Sequence, residues 1–178
     1  VSHHHCFDGI NHIIYYGLQN IHIPTMNAIM LSTTFLADKY VLSIVVIALA
    51  ALLAKYIDLR EAMYLMIATF CTVLIIKGFK MQYHIARPPH MLHILGHTSF
   101  PSGHTSYITF LVSYLYLRFH ALWSDRQRTT LFTLAWCLVL FIMVTRLYLG
   151  AHWLTDVLGG ACLGLALAYL CYGLLNQY

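Results

Sequence analysis

Residues 145–175 read TRLYLGAHWLTDVLGGACLGLALAYLCYGLL. From Trp153 onward the run is apolar over about the 20 residues that cross a bilayer core, and its ionisable groups, Arg146, His152 and Asp156, all stand at its leading edge. Four further apolar stretches lie at residues 40–56, 62–79, 103–120 and 129–149. The chain has 178 residues, of which 60% are hydrophobic and 9% charged, with a mean hydropathy of +0.71. These values describe an integral membrane protein and not a soluble domain. Moving an Asp, Lys or Arg to a helix centre costs about 2.5–3.5 kcal/mol on the insertion scale, so charges should collect at span ends, as they do here. The expected fold is therefore all-α, a membrane helical bundle of about five transmembrane helices, the first short enough to tilt or to extend toward residue 36.

Ahead of these spans, residues 7–19 set Ile10, Ile13, Ile14 and Leu18 at helical spacing with Asp8, Asn11, His12 and Gln19 turned away. This is the pattern of a helix lying in the membrane interface, and Pro24 is expected to end it. A second short amphipathic stretch, residues 25–37, leads into the first span, so residues 1–37 are read as interfacial helices. With no internal repeat, low-complexity run or linker, residues 1–178 form one domain. The chain begins at Val1, which leads us to expect that it was cut from a longer polypeptide or lacks its true start, with room for a further span ahead of it. The first twenty residues lack the cationic start and apolar run of a cleavable signal.

Composition narrows the partners. A net charge of +4 without a basic run gives no reason to expect nucleic acid. Of the five cysteines, Cys71, Cys137, Cys162 and Cys171 lie in apolar spans, where a thiol is a small hydrophobe, and Cys6 has no evident partner.

Orientation follows from the loops. Lys55 and Arg60 in one turn, with Arg118, Arg126 and Arg128 in another, place five basic residues on one side. Once the motif residues below are set aside, the other side keeps two, Lys39 and Lys77. The positive-inside rule puts the 55–60 and 118–128 turns in the cytoplasm.

Three short motifs fall on the opposite face: Lys80-x6-Arg87-Pro88, Pro101-Ser102-Gly103-His104, and Thr145-Arg146-x5-His152-x3-Asp156. In the second, Ser102 is placed to cap a helix and Gly103 to let a ligand approach the backbone, so the helix start offers N–H groups and partial positive charge to phosphate oxygens. An ordinary cap followed by a chance histidine explains that motif alone equally well. In the third, a four-residue spacing puts His152 and Asp156 on one helical face. A carboxylate holding one imidazole nitrogen leaves the other nitrogen's lone pair free to attack, although a self-satisfied interfacial pair has the same spacing. Arg146 and Arg87 match a phosphate bidentately and Lys80 adds a point charge. Taken singly, each cation reads as a residue snorkelling at a span end. The motifs gain their meaning jointly, with Gly150 free to break the chain between Arg146 and His152.

Together, in this order and on one face, the motifs resemble the signature of the type 2 phosphatidic acid phosphatase family, the membrane relatives of acid phosphatases and vanadium haloperoxidases, across residues 62–160. The resemblance implies His152 as nucleophile, Asp156 as its orienting group and His104 as general acid, with Lys80, Arg87, Ser102, Gly103 and Arg146 holding the phosphate. It also implies a phosphatase for a lipid-borne phosphate monoester or diphosphate, working through a phosphohistidine. Thr145 stands where the family often has serine and Leu154 where many members have proline. Members commonly have six spans against the five marked here. Cationic side chains take the part that Mg2+ plays elsewhere, so no metal or cofactor is expected; the expected partners are the lipid phosphate and the surrounding membrane lipids. A lipid phosphotransferase on the same fold and a noncatalytic lipid-phosphate transporter or flippase are the rival readings, with a haem carrier using loop histidines a third. Compact size and short loops, by family analogy, suggest a bacterial cytoplasmic membrane with the site on the periplasmic face.

His84, His90, His93 and His97 crowd the loop between the first two motifs. No cysteine or carboxylate joins them, so they read as interfacial residues that help admit a headgroup and not as a metal site. His3, His4 and His5 are assigned no role. Gly160-x3-Gly164 reads as close helix packing.

Overall fold

The computed structural model describes residues 5–36, 39–92, 96 and 98–175. Among these residues seven α-helices follow one another: α1 His5–Gln19, α2 Pro24–Leu36, α3 Lys39–Tyr56, α4 Leu59–Gln82, α5 Gly103–Phe119, α6 Asp125–Tyr148 and α7 Leu154–Leu175. The expected all-α class holds. Two helices start earlier than their apolar runs because their first turns are polar. Asp58 accepts the Arg60 N–H at 3.0 Å ahead of α4, and Ser124 forms a capping box with Gln127 ahead of α6.

Pro24 is a correction to the sequence reading. It does not end α1, which stops at Gln19; it opens α2. A proline suits a first helical position, where its missing N–H costs nothing and its fixed φ is already helical.

Short turns at 57–58 and 120–124 and around Gly150 make α3/α4, α5/α6 and α6/α7 antiparallel, and the longer segment 83–102 returns the chain so that α5 also runs antiparallel to α4. The C-terminal ends of α4 and α6 therefore meet the N-terminal ends of α5 and α7. At the opposite end Arg118 forms a two-pronged ion pair with Glu61, tying the end of α5 to the start of α4.

Helix α5 occupies the middle of the bundle and packs most extensively on α7. A methyl group added at Gly164 would sit 2.3 Å from the Ser106 carbonyl oxygen, and one at Gly160 would sit 2.9 Å from that of Ser102. The glycine pair lets the two backbones touch, as its spacing suggested.

The distribution of side chains is that of a protein in lipid. Thr72, Thr105, Ser106 and Thr109 are buried, whereas Ile44, Ile67, Phe70, Leu134 and Leu170 face outward. Small hydroxyl residues fill the interior because lipid, unlike water, gives large apolar groups no reason to hide. Three helices, α4, α6 and α7, are long and apolar enough to cross a membrane by themselves, and Tyr40–Tyr56 forms a shorter apolar one. The remaining expected span, α5, has 17 residues and a run of buried hydroxyls, a composition set by neighbouring helices and not by lipid.

Helix α1 is turned differently from the sequence reading. Asn11, expected to face away from the apolar side, is buried against the protein together with Tyr15, while Ile10 and Ile13 are exposed. Both ends of the Asn11 amide are engaged: its Nδ2 donates to Thr155 Oγ1 and its Oδ1 accepts the Thr155 N–H, both at 3.1 Å. A polar residue that finds two partners at the start of α7 is more stable inside than out.

Candidate active site

Gly150 makes the turn that brings the third motif together. Its φ is +63°, a left-handed conformation, and a methyl there would lie 2.6 Å from the His90 carbonyl oxygen. After the turn, His152 lies outside α7, in the segment leading into it, so its pairing with Asp156 comes from this tight entry and not from two positions on one helical face. His152 Nδ1 stands 3.5 Å from Asp156 Oδ2, and the same carboxylate oxygen accepts the Trp153 N–H at 2.8 Å.

The other imidazole nitrogen fixes the tautomer. Arg87 Nη1 lies 3.2 Å from His152 Nε2. A guanidinium N–H can only donate, so Nε2 must be the acceptor. In the neutral ring the proton then sits on Nδ1, facing Asp156, and the Nε2 lone pair faces the cations. His152 is buried, and burial is the main reason its pKa is lowered to about 4; the facing Asp156 carboxylate works against this and the charge of Arg87 adds to it. The ring is therefore neutral near pH 7.

Arg87 also donates through Nη1 to the Ala151 carbonyl and through Nε to that of Gly96, which pins the loop after α4 onto the turn before α7. Burial lowers its proton affinity and Asp156 partly restores it, while the guanidinium stays charged. Lys80 Nζ reaches the Thr98 and Ser99 carbonyls, each at 3.4 Å.

Lys80, Arg87, Gly103, His104 and His152 line one cavity of about 690 Å³, whose wall continues along apolar residues of α3 and α4, among them Val46, Phe70, Val73 and Ile76. At its polar end α5 begins. The N–H groups of residues 103–105 precede the first bond of that helix, from Ser106 N to Ser102 O at 2.9 Å, so they carry the partial positive charge of a helix start. Among the described residues nothing demands a glycine at 103, because a methyl there would meet its nearest neighbour, Lys80 Cε, at 3.9 Å. Its absence keeps the cavity floor open.

The other three expected site residues stand behind this wall. Asp156 is fully buried beneath His152. Ser102 occupies the cap position without capping: its Oγ accepts the Thr105 hydroxyl at 3.0 Å and its N–H donates to the Asp156 carbonyl at 3.0 Å. Arg146 is 1% exposed and hydrogen-bonded through Nη2 to Thr34, leaving Nε and Nη1 without a partner among the described residues. Two buried guanidinium donors left over beside Arg87 are unmet demand for an anion.

A model of the PAP2 superfamily matches residues 39–177. The chain belongs to the PAP2 superfamily. Within it, the chain is 33% identical over 78 residues to phosphatidylglycerophosphatase B of Bacillus subtilis, a match covering 42% of this chain and 38% of that relative. The matched stretch thus spans well under half of the relative's length. The fold is similar to the crystal structure of a transmembrane PAP2 type phosphatidylglycerolphosphate phosphatase from Bacillus subtilis, with a TM-score of 0.90, 24% identity, and coverage of 98% of this chain and 89% of that one. It is also similar to LpxE of Aquifex aeolicus, with a TM-score of 0.71, 21% identity, and coverage of 92% and 95%. Helices long and apolar enough to cross a membrane, and a fold shared with a transmembrane PAP2 structure, support reading this PAP2 chain as an integral membrane protein.

Several residues around the PAP2 motifs carry no motif signal. Tyr15 accepts the His90 N–H at 3.1 Å and stacks edge-on against Trp153. Together with Asn11 it clamps α1 over the entry to α7. Asn27 accepts the Tyr148 hydroxyl at 2.7 Å, placing α2 against the end of α6. The four-residue spacing of Asn11 and Tyr15 was the one available hint, since it sets both on one face of α1. Of the loop histidines, His84 and His90 are exposed, and His93 and His97 lie outside the described residues, as do His3 and His4.

Proposed function

We propose that this chain is a phosphatase acting on a lipid-borne phosphate monoester or diphosphate through a phosphohistidine at His152. One observation carries the reading: a buried neutral imidazole, backed by Asp156, turns its lone pair toward Arg87 at the polar end of a long apolar cavity. The cavity supports a lipid substrate, because its polar end suits a phosphate and its wall suits a hydrocarbon chain.

His152 Nε2 attacks phosphorus in line, and the N–P bond forms as the bond to the lipid oxygen breaks. Lys80, Arg87, Arg146 and the start of α5 neutralise the phosphoryl oxygens, while His104 gives its proton to the leaving oxygen. Water then attacks the phosphohistidine, passes a proton back to His104 and releases inorganic phosphate. The Nδ1–H held by Asp156 stabilises the positive charge that the ring gains in the first step and loses in the second. Side-chain cations supply the charge neutralisation assigned to metal ions elsewhere, so the reaction runs without one. By the excess of basic residues at the 55–60 and 118–128 turns, the site opens to the outer face of the membrane, which by analogy with the family is the periplasmic face of a bacterial cytoplasmic membrane.

Purified protein in detergent should release phosphate from lipid phosphates, keep its rate in EDTA and be inhibited by vanadate, whose trigonal-bipyramidal adduct on His152 resembles the transition state. Activity abolished by EDTA and restored by Mg2+ or Zn2+ would refute the mechanism. Binding without release would favour a transporter.

A further inference from the structure

Arg146 holds its charge in the interior, and its neighbours decide where its donors point. Arg87 stands close enough for the two charges to oppose each other. Until an anion arrives, that repulsion drives the Arg146 guanidinium away from Arg87. Among the described residues a single hydrogen bond holds the side chain against it, from Nη2 to Thr34 Oγ1.

Thr34 lies on α2, outside the three motifs and ahead of the stretch that the family model matches. Its buried hydroxyl gives its own proton to the Met30 carbonyl at 2.9 Å. The oxygen is left to accept, which suits a guanidinium that can only donate. One stripe of α2 sets this contact. Asn27, Met30 and Thr34, spaced three and four apart, share a face of the helix, and each meets the end of α6. Asn27 accepts the Tyr148 hydroxyl at 2.7 Å, Met30 Sδ lies 3.6 Å from Thr145 Oγ1, and Thr34 takes Arg146. Met30 also packs with Tyr148, Leu149 and Ala151, so α2 is seated on the turn that carries the third motif. With Nη2 anchored there, the donors on Nε and Nη1 remain for a ligand. Donors fixed before an anion enters need no ordering when it binds.

We infer that Thr34 is a positioning residue, which anchors the Arg146 guanidinium against Arg87 and so sets its free donors for phosphate. Helix α2 is thereby part of the phosphate site. This rests on the reading of Arg146 as a phosphate-binding residue.

Vanadate binding, followed by calorimetry on the purified protein in detergent, needs no turnover and reads the site directly. In Thr34→Val the vanadate Kd should rise about tenfold, the reach of one hydrogen bond to a charged group. Thr34→Ser keeps the acceptor and should bind as the parent does. Where the valine variant does not fold, Thr34→Ala removes the same acceptor with less bulk and takes its place. Arg146→Met completes a double-mutant cycle: it should weaken vanadate by itself, and in that background Thr34→Val should change nothing further. An unchanged Kd in Thr34→Val would overturn the inference. So would an equal loss with and without Arg146, since a residue that merely steadies α2 acts in either background. If Arg146→Met binds vanadate like the parent, or the parent binds none, the phosphate reading of Arg146 itself fails and this inference falls with it.

Discussion

In the proposed mechanism His104 is needed only where the departing oxygen must be protonated. His104→Ala should therefore slow hydrolysis of a lipid alkoxide ester by about 10²–10⁴, the usual reach of a general acid, and slow p-nitrophenyl phosphate far less. Equal losses on both would mean that His104 binds phosphate without donating a proton. The nucleophile makes a separate demand on pH. If His152 is the nucleophile as proposed, only its neutral form attacks, so activity should be lost as pH falls through its pKa, and burial places that value near 4, below the ordinary 6.5. On p-nitrophenyl phosphate, with the substrate's own ionisation corrected for, kcat/KM should hold its value as pH is lowered from 7 past 6.5. An acid limb centred at 6.5 or above would contradict the buried neutral ring. The residues in question were legible in the sequence because ionisable groups stand out in an apolar chain. Their supports were not. Asn11 meets Thr155 across 144 positions and Thr34 meets Arg146 across 112, and no local pattern encodes such pairings.

Helices α5 and α7 hold the site through two glycine positions of opposite character. At Gly164 a methyl would collide with the Ser106 carbonyl at 2.3 Å, and backbone cannot step aside as a side chain can. Gly164→Ala should destabilise the bundle by about 1–3 kcal/mol, read as a lowered Tm in detergent, and should cost activity because the Ser102–Asp156 backbone link spans the same two helices. At Gly103 the nearest side-chain atoms stand 3.9 and 4.0 Å from an added methyl. Gly103→Ala should leave Tm unchanged yet lower kcat/KM about tenfold or more, because the methyl enters the space meant for phosphate oxygens. Full activity in Gly103→Ala would show that the start of α5 does not touch the phosphate. Helix existence was readable from apolar runs, and the helix starts were not, since Asp58 and Ser124 cap polar first turns that hydropathy treats as loop. The orientation of α1 failed for a related reason: apolarity does not mark the inner face of a helix that lies against both protein and lipid.

The whole molecule sets five basic residues at one end and the three motifs at the other, and the positive-inside rule predicts from this how it sits in the membrane. His84→Cys, in the exposed loop after α4, and Ala121→Cys, in the exposed turn after α5, test this in a background without native cysteines. A membrane-impermeant thiol reagent on intact cells should label the first and spare the second; the reverse pattern would overturn the orientation. Convergence of the motifs could be inferred from the sequence, because successive spans of near-equal length bring alternate ends to one depth. The cavity could not, since its walls are drawn from α3, α4 and α5 and their packing is settled only in three dimensions. Everything assigned to that cavity depends on a bond between phosphorus and His152. Acid quench of the purified protein during turnover of a lipid phosphate labelled on its terminal phosphate should trap an acid-labile phosphoenzyme. His152→Ala should carry no label while still binding substrate through the remaining cations; label retained by His152→Ala would contradict the assignment of the nucleophile.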